Sequence, residues 1–309
     1  MTHWNTRVLP FDDDGVAEAA RLILAGEPVA VPTETVYGLA ADATSPEAVA
    51  RIYAAKGRPS FNPLIVHVPD LRAAEQLAEL PAPARALAEA HWPGPLTLVL
   101  TRRADAGIAS LVTAGLRTIA IRVPAHPAMQ ALLRASGRPL AAPSANASGT
   151  ISPTRAAHVL RSLSGRIPLV IDAGRTAVGI ESTIVAAHDD APMLLRRGPL
   201  DLGLPLTSGD KVQAPGMLAR HYAPSKPLRL DATAARPGDW LIGFGPVTGH
   251  ASLSPAGDLV EAAACLFDRL HEADEAPDFS AIAVAPIPPH GLGLAIQDRL
   301  NRAAHKEGA

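Results

Sequence analysis

The stretch KGRPSFNPLIVHV, residues 56–68, sets Lys56, Arg58, Asn62 and His67 around a short apolar run and interrupts the backbone at Pro59 and Pro63. One account is plain. Lys56 and Arg58 flank a helix end at Gly57, where cations gain a few tenths to ~1 kcal/mol from the helix C-terminus. That explains the charges but not Asn62 and His67. A lysine and an arginine this close repel unless an anion lies between them. Phosphate oxygens suit both, lysine as a point charge and arginine as a planar fork. On this stretch alone the two accounts stand level.

Other segments repeat the pattern. APSANASGTISPT (142–154) crowds Ser144, Asn146, Ser148, Thr150 and Ser152 into a loop whose small residues and Gly149 leave backbone N–H groups free to nest an anion. PLAAPSA reads as a strand presenting that loop at its carboxyl end, where α/β proteins place ligands. TIAIRV puts Thr118, Ala120 and Arg122 on one strand face, and an arginine inside an apolar strand is costly without an anionic partner. GIESTIV sets Ser182 at a strand entrance, and LLRRGP sets Arg196 and Arg197 at a strand exit. In PTETVYGLAAD (32–42), Thr33, Thr35 and Gly38 fit a strand-end turn as well as they fit a site. Basic groups gathered at strand ends in a chain of net charge −2 point to a small polyanion, such as a nucleoside triphosphate.

It is not held by a P-loop, because GxxxxGK[ST] does not occur. GFGPVTG, with glycines at 243, 245 and 249, has the wrong spacing for a dinucleotide fingerprint. There is no HExxH and no metal-type spacing among the eleven histidines, so no protein metal ligand is assigned. The single cysteine, Cys265, excludes an internal disulfide and reads as helix packing.

The elements that must position these residues follow from periodicity. Helices are expected over 13–26 with Asp14 as cap, 45–57 starting on Ser-Pro, 71–79 capped by Asp70, 84–91, 126–136 and 154–163. Strands are expected at 28–32, 64–68, 96–100, 118–123 and 139–145, with three more in 169–197. Residues 1–201 thus form an α/β unit whose sheet is not purely parallel. Residues 202–227, rich in Pro and Gly, read as a linker long enough to act as a lid. A strand at 239–245, a helix at 254–273, a strand at 279–287 and a helix at 295–304 make 228–309 a small Rossmann-like domain.

Composition narrows the class. A hydrophobic fraction of 48% is ordinary for a globular chain, and near-neutral charge gives no global pull toward nucleic acid or anionic lipid. No apolar run approaches the ~20 residues of a membrane span, and MTHWNTRVLPFDDDG lacks a signal-type core. The expected location is the cytoplasm. A non-enzymatic RNA-binding module with a basic concave face is the competing reading. It is weakened because eleven aromatic residues are too few for a stacking platform.

Taken together, PTETVYGLAAD, KGRPSFNPLIVHV, HWPGPLTLVL, TIAIRVPAHP, APSANASG and GIESTIV resemble the YrdC-type threonylcarbamoyl-AMP synthases, in the family's order and at compatible spacings. HYAP, LIGFG and PIPPHGLGLAIQDRLNRAA resemble its long, two-domain form, and the likeness covers residues 8–304. The resemblance implies a YrdC-like open twisted mixed sheet with a concave basic face. It implies a nucleotidyltransferase that makes threonylcarbamoyl-AMP from L-threonine, bicarbonate or CO2 and ATP, with release of pyrophosphate. The product would feed N6-threonylcarbamoylation of adenosine 37 in tRNAs reading ANN codons, through a downstream tRNA threonylcarbamoyltransferase machinery; direct contact with tRNA is left open. The family's Lys-Arg-Ser-Asn tetrad falls on Lys56, Arg58, Ser144 and Asn146. Its nucleotide contacts fall on Arg58, Asn62, Thr118, Ser144, Ser152 and Arg196, and its linker tyrosine on Tyr222. Its threonine contacts fall on Thr35, His67, Arg122, Ala142 and Ser182. ATP is expected as a substrate with Mg2+, without a tightly bound cofactor. His67 fits a neutral positioning role better than that of a base.

Overall fold

The computed structural model describes residues 3–189, 191–207 and 221–305. Ten strands form one mixed sheet: β1 (Arg7–Pro10), β2 (Val29–Pro32), β3 (Tyr37–Asp42), β4 (Ile65–His67), β5 (Leu96–Thr101), β6 (Thr118–Arg122), β7 (Leu140–Ala141), β8 (Leu169–Asp172), β9 (Thr183–Ala186) and β10 (Met193–Arg196). Their order is β1-β8-β2-β3-β7-β4-β6-β5-β9-β10. Seven helices accompany it: α1 (Asp13–Leu24), α2 (Pro46–Lys56), α3 (Leu71–Leu77), α4 (Ala82–His91), α5 (Ser110–Thr113), α6 (Pro127–Ser136) and α7 (Ala156–Leu163). The mixed α/β expectation holds.

Local sequence explains the helix ends. Ser45 accepts a hydrogen bond from the Ala48 N–H ahead of Pro46, and α2 stops where Gly57 adopts φ 60°, a left-handed conformation that favours glycine. Asp70 caps α3 in the same way. The cap of α1 is Asp12, not Asp14, because Asp12 has the extended backbone that lets its carboxylate reach the Gly15 N–H. Two strands escaped periodicity. β1 is an exposed edge, and β3 is buried on both faces and so does not alternate.

Strand alternation assigns the two faces. Leu64, Val66, Ile119, Ile121, Leu98 and Val185 point into the main core with α2 and α7. On the other face, α1 and α6 cover Val29, Val31 and Ala40. Farther along that face no described helix joins the packing. There Ile65, Val99, Ala120, Ile184 and Leu195 form an apolar strip, in register with His67, Arg122, Thr97 and Ser182. The concave basic face of the sheet lies here.

The second unit is a four-stranded parallel sheet, order β11-β14-β12-β13, made of β11 (Leu228–Arg229), β12 (Asp239–Gly243), β13 (Ala251–Ser252) and β14 (Ala281–Val284) with α8 (Leu259–Glu275) and α9 (Leu292–Ala304). This is the expected Rossmann-like arrangement. Its core continues into the first unit, since Val36, Ile151 and Ile180 pack in one cluster with Tyr222, Phe267 and Ile296. Asp268 of α8 fastens the contact, accepting hydrogen bonds from Thr154 Oγ1 and from Arg155 through both Nε and Nη2. At Gly179 an added Cβ would lie 2.4 Å from the Ala264 carbonyl oxygen, so only glycine permits this approach. Of the expected linker, 208–220 lie outside the described residues. On either side of them, Leu206 bridges to Leu194 and Ala223 bridges to Thr150.

Candidate active site

A cavity on the concave face is lined by Thr35, Arg58, His67, Arg122, Ala142, Ser144, Ser182, Arg196 and Tyr222. These nine come from seven separate stretches of chain, and each was singled out from the sequence. Lys56, Asn62, Asn146 and Ser152 are buried and tied to this lining: Lys56 bonds the Ser144 and Asn146 carbonyls, the Asn62 carbonyl accepts from Arg58, and Ser152 donates to Glu181. Thr118 stands apart. It opens β6, four residues from Arg122 on the same face, or ~13 Å along the strand.

The α2 terminus and the 142–154 loop are laced together. Lys56 Nζ donates to the Ser144 and Asn146 carbonyl oxygens, and the Ser148 N–H donates to the Lys56 carbonyl at 2.8 Å. Arg58 donates from Nε to the Asn62 carbonyl (3.2 Å) and from Nη2 to the Pro63 carbonyl (2.9 Å). The tight turn at 57–63 therefore curls around the guanidinium. Burial, then the neighbouring Arg58 charge, pulls the Lys56 ammonium well below its usual range. Burial also lowers Arg58 to about 10, which leaves it cationic at neutral pH.

Arg122 finds its anion inside the protein. Its Nη2 donates to Glu34 Oε1 at 2.6 Å, its Nη1 to Thr35 Oγ1 at 2.9 Å and its Nε to the Gly94 carbonyl at 3.2 Å. Burial works to raise Glu34, but the charge and hydrogen bond of Arg122 outweigh it and hold the carboxyl below its ordinary value. His67, paired in register with Arg122, is lowered to about 3 by burial and then by the Arg122 charge. It is neutral at physiological pH and fits positioning better than proton shuttling.

Arg196 donates from Nε (3.1 Å) and Nη2 (2.9 Å) to the Ser182 carbonyl and from Nη2 to Ser182 Oγ (3.1 Å). Ser182 Oγ also shares a 2.7 Å hydrogen bond with Thr97. His221 and Tyr222 of HYAP reach into the cavity between these cations. Burial first, then Arg58, Lys56, Arg196 and Arg299, push His221 far below its usual value. Tyr222 is fully buried at φ 63°, an unusual backbone for a tyrosine.

Several buried polar atoms here have no hydrogen-bond partner among the described residues: both side-chain polar atoms of Asn62, Asn146 Oδ1, His67 Nδ1, His221 Nδ1 and Tyr222 Oη. Buried polar atoms are normally satisfied, so such a concentration marks a place where a polar ligand belongs.

Sequence reasoning passed over Glu34, Glu181 and Arg299. Glu34 and Glu181 each sit beside a flagged residue, Thr35 and Ser182. The need of Arg122 for an anion was the signal available for Glu34. Nothing local marked Arg299, which reaches Glu181 across 118 positions.

Comparison with known proteins identifies the family. The Sua5/YciO/YrdC family, described as "Telomere recombination", matches residues 21–198. The "Threonylcarbamoyl-AMP synthase, C-terminal domain" family matches residues 179–305. Threonylcarbamoyl-AMP synthase of Bacillus subtilis (strain 168) is 42% identical over 335 residues, covering 97% of this chain and 95% of that protein. The synthase of Pyrococcus abyssi is 39% identical, covering 93% of each. The crystal structure of P. abyssi Sua5 complexed with L-threonine superposes with a TM-score of 0.87 at 37% identity, over 97% of this chain and 96% of that one. The chain belongs to the Sua5/YrdC family of threonylcarbamoyl-AMP synthases, in its two-domain form.

Proposed function

We propose that the cavity seats L-threonine against Thr35, His67, Arg122, Ala142 and Ser182. ATP lies across Arg58, Asn62, Ser144, Ser152 and Arg196, and Tyr222 closes over it. The purine runs along the apolar strip toward Thr118. The observation that carries this reading is the convergence of Arg58, Arg122 and Arg196 with neutral hydroxyls and unpartnered polar atoms on one concave surface.

Threonylcarbamoyl-AMP synthesis needs three reactants in line. The neutral amine of threonine adds to CO2, drawn from bicarbonate, and loses a proton to give a carbamate. A carbamate oxygen then forms a bond to the α-phosphorus while the bond to the β-phosphate breaks and pyrophosphate departs. Collecting the reactants is the main entropic obstacle, and positioning removes ~7–11 kcal/mol of such a barrier. Arg122 fixes the threonine carboxylate. Lys56, Arg58 and Arg196 stabilise charge growing on phosphoryl oxygens. No covalent nucleophile on the protein is required.

Mg2+ enters as the companion of ATP. Among the described residues no group of three or more His, Cys, Asp or Glu residues is placed to hold a metal. The nearby carboxylates, Glu34 and Glu181, are ion-paired to Arg122 and Arg299. No step is therefore assigned to a protein-held metal.

The product passes to a tRNA threonylcarbamoyltransferase machinery in the cytoplasm, which modifies adenosine 37 of tRNAs reading ANN codons. In this scheme 1–201 is the catalytic domain, 202–227 the linker that acts as lid, and 228–309 the C-terminal domain. No described helix is long and apolar enough to cross a membrane. The RNA-binding alternative is disfavoured because Lys56, Arg58, Arg122 and Arg196 are each at most 9% exposed, out of reach of a polymer backbone.

The test is pyrophosphate release from ATP with threonine and bicarbonate omitted in turn. Release that requires both supports the reading. Release indifferent to threonine, or RNA binding without ATP turnover, contradicts it.

A further inference from the structure

Arg299, on α9 of the second unit, is fully buried and reaches into the first unit. Its Nε donates to Glu181 Oε2 at 3.0 Å, and its Nη1 donates to the Arg197 carbonyl at 2.7 Å. It also pairs with its neighbour Asp298 at 3.0 Å. Its guanidinium carbon lies 5.5 Å from the centre of the Tyr222 ring, within cation–π range. The other oxygen of Glu181, Oε1, accepts a hydrogen bond from Ser152 Oγ at 2.5 Å. One side chain thus fastens the entrance of β9 beside Ser182, the exit of β10 beside Arg196, and the ring of Tyr222.

Glu181 is also the one carboxylate among the described residues lining the cavity. A bare carboxylate there repels a polyphosphate and cancels part of the field of Arg58 and Arg196. Arg299 is ion-paired to it at 3.0 Å, and Ser152 holds its other oxygen.

We infer that Arg299 is a positioning residue of the nucleotide site: by neutralising and orienting Glu181 it lets the catalytic cavity accept the polyphosphate of ATP, so the C-terminal domain completes the active site. The inference rests on the reading that this cavity takes ATP. It adds a residue and a domain that the site residues named above do not include.

The experiment compares Arg299→Met, Arg299→Lys, Glu181→Gln and the double variant Arg299→Met/Glu181→Gln in the full chain. It reads KM for ATP and KM for threonine from pyrophosphate release. Loss of the arginine alone is expected to raise KM for ATP roughly tenfold or more, with KM for threonine changed less than about twofold. Glu181→Gln, which keeps the shape and removes the negative charge, is expected to lower KM for ATP. Arg299→Lys and the double variant are expected to recover most of what Arg299→Met loses. A purely structural pair predicts that both single variants raise KM for ATP and KM for threonine together, and that result overturns the inference. If Arg299→Met does not fold, the double variant against Glu181→Gln decides. Similar KM values for ATP in those two support the inference, and a tenfold rise in the double overturns it. Wild-type chain that fails to use ATP in a threonine-dependent way would instead sink the parent reading.

Discussion

His158 of α7 and His271 of α8 stack face to face across the contact between the two units, with ring centres 3.8 Å apart and planes 22° from parallel. Two imidazoles stacked this closely cannot both be charged at low cost. Burial, first of all, lowers His158 to about 4 and His271 to about 3. Asp268, Arg155, Arg161 and Arg175 surround the pair. These shifts make stability depend on pH. Below about 6.5 the unfolded chain binds protons that the folded chain refuses, so stability is lost as pH falls.

Each such histidine contributes a slope of about 1.4 kcal/mol per pH unit between its unfolded and folded values. Urea unfolding at pH 7.5, 6.5 and 5.5 is therefore expected to show a steady loss below 6.5. His67, lowered to about 3, acts in the same direction. His271→Phe, which keeps a stacked ring without a titrating proton, is expected to reduce the slope by one histidine. An unchanged slope in that variant would show that the stack does not carry the effect.

Arg58 shapes the 57–63 turn and also lines the cavity. Arg58→Ala is expected to reduce pyrophosphate release ~10²–10³-fold, the scale for losing a preorganised donor to developing charge. Arg58→Lys should restore part of the charge effect but not the fork. Lys56, lowered by burial and then by Arg58, should become more basic when a polyphosphate lies beside the pair. At a pH where free Lys56 has begun to lose its proton, ATP binding is then accompanied by proton uptake and weakens as pH rises further. Calorimetry in buffers of different ionisation enthalpy measures this, and proton release on binding would rule it out.

Arg122 is held by Glu34, Thr35 and Gly94 before any ligand arrives. A threonine carboxylate must share that guanidinium with Glu34. Arg122→Lys removes the bidentate geometry and is expected to raise KM for threonine about tenfold or more, leaving KM for ATP within about twofold. Equal effects on both substrates would place the residue outside the amino-acid site.

How much of this was legible in the chain depended on distance along it. Caps such as Ser45 and Asp70, and the stop at Gly57, are decided within four residues and read correctly. The two-residue strands β11 and β13 carry too little periodicity to stand out, whereas β7 lies within the expected strand 139–145; β3 was hidden because PTET opens with turn residues while its six residues are all buried. The donors of the site were legible because basic and hydroxyl residues cluster at strand ends. The carboxylates that pair with them were not. Arg122 meets Glu34 across 88 positions and Arg299 meets Glu181 across 118, and such pairings exist only once the sheet has formed.

Tyr222 tests the closing segment. Its ring packs against Phe267 and beneath Arg299, while its hydroxyl is buried with no partner among the described residues. Tyr222→Phe removes only that hydroxyl, so thermal stability should stay level or rise. KM for ATP should rise several-fold if the hydroxyl meets the nucleotide. Tyr222→Ala empties the ring site and should cost ~3–5 kcal/mol of stability. A destabilised Tyr222→Phe with unaltered KM would mean that the hydroxyl serves the fold alone.

The central claim is that the cations of the concave face clasp a triphosphate beside an amino acid. Its most direct test is a crystal structure of the chain with L-threonine and a non-hydrolysable ATP analogue. The account predicts the threonine carboxylate within hydrogen-bonding distance of Arg122, phosphate oxygens on Arg58 and Arg196, and the threonine nitrogen facing the α-phosphate. A nucleotide bound elsewhere, with Arg122 and Glu34 still closed on each other and no amino acid between Thr35 and Ser182, would contradict it.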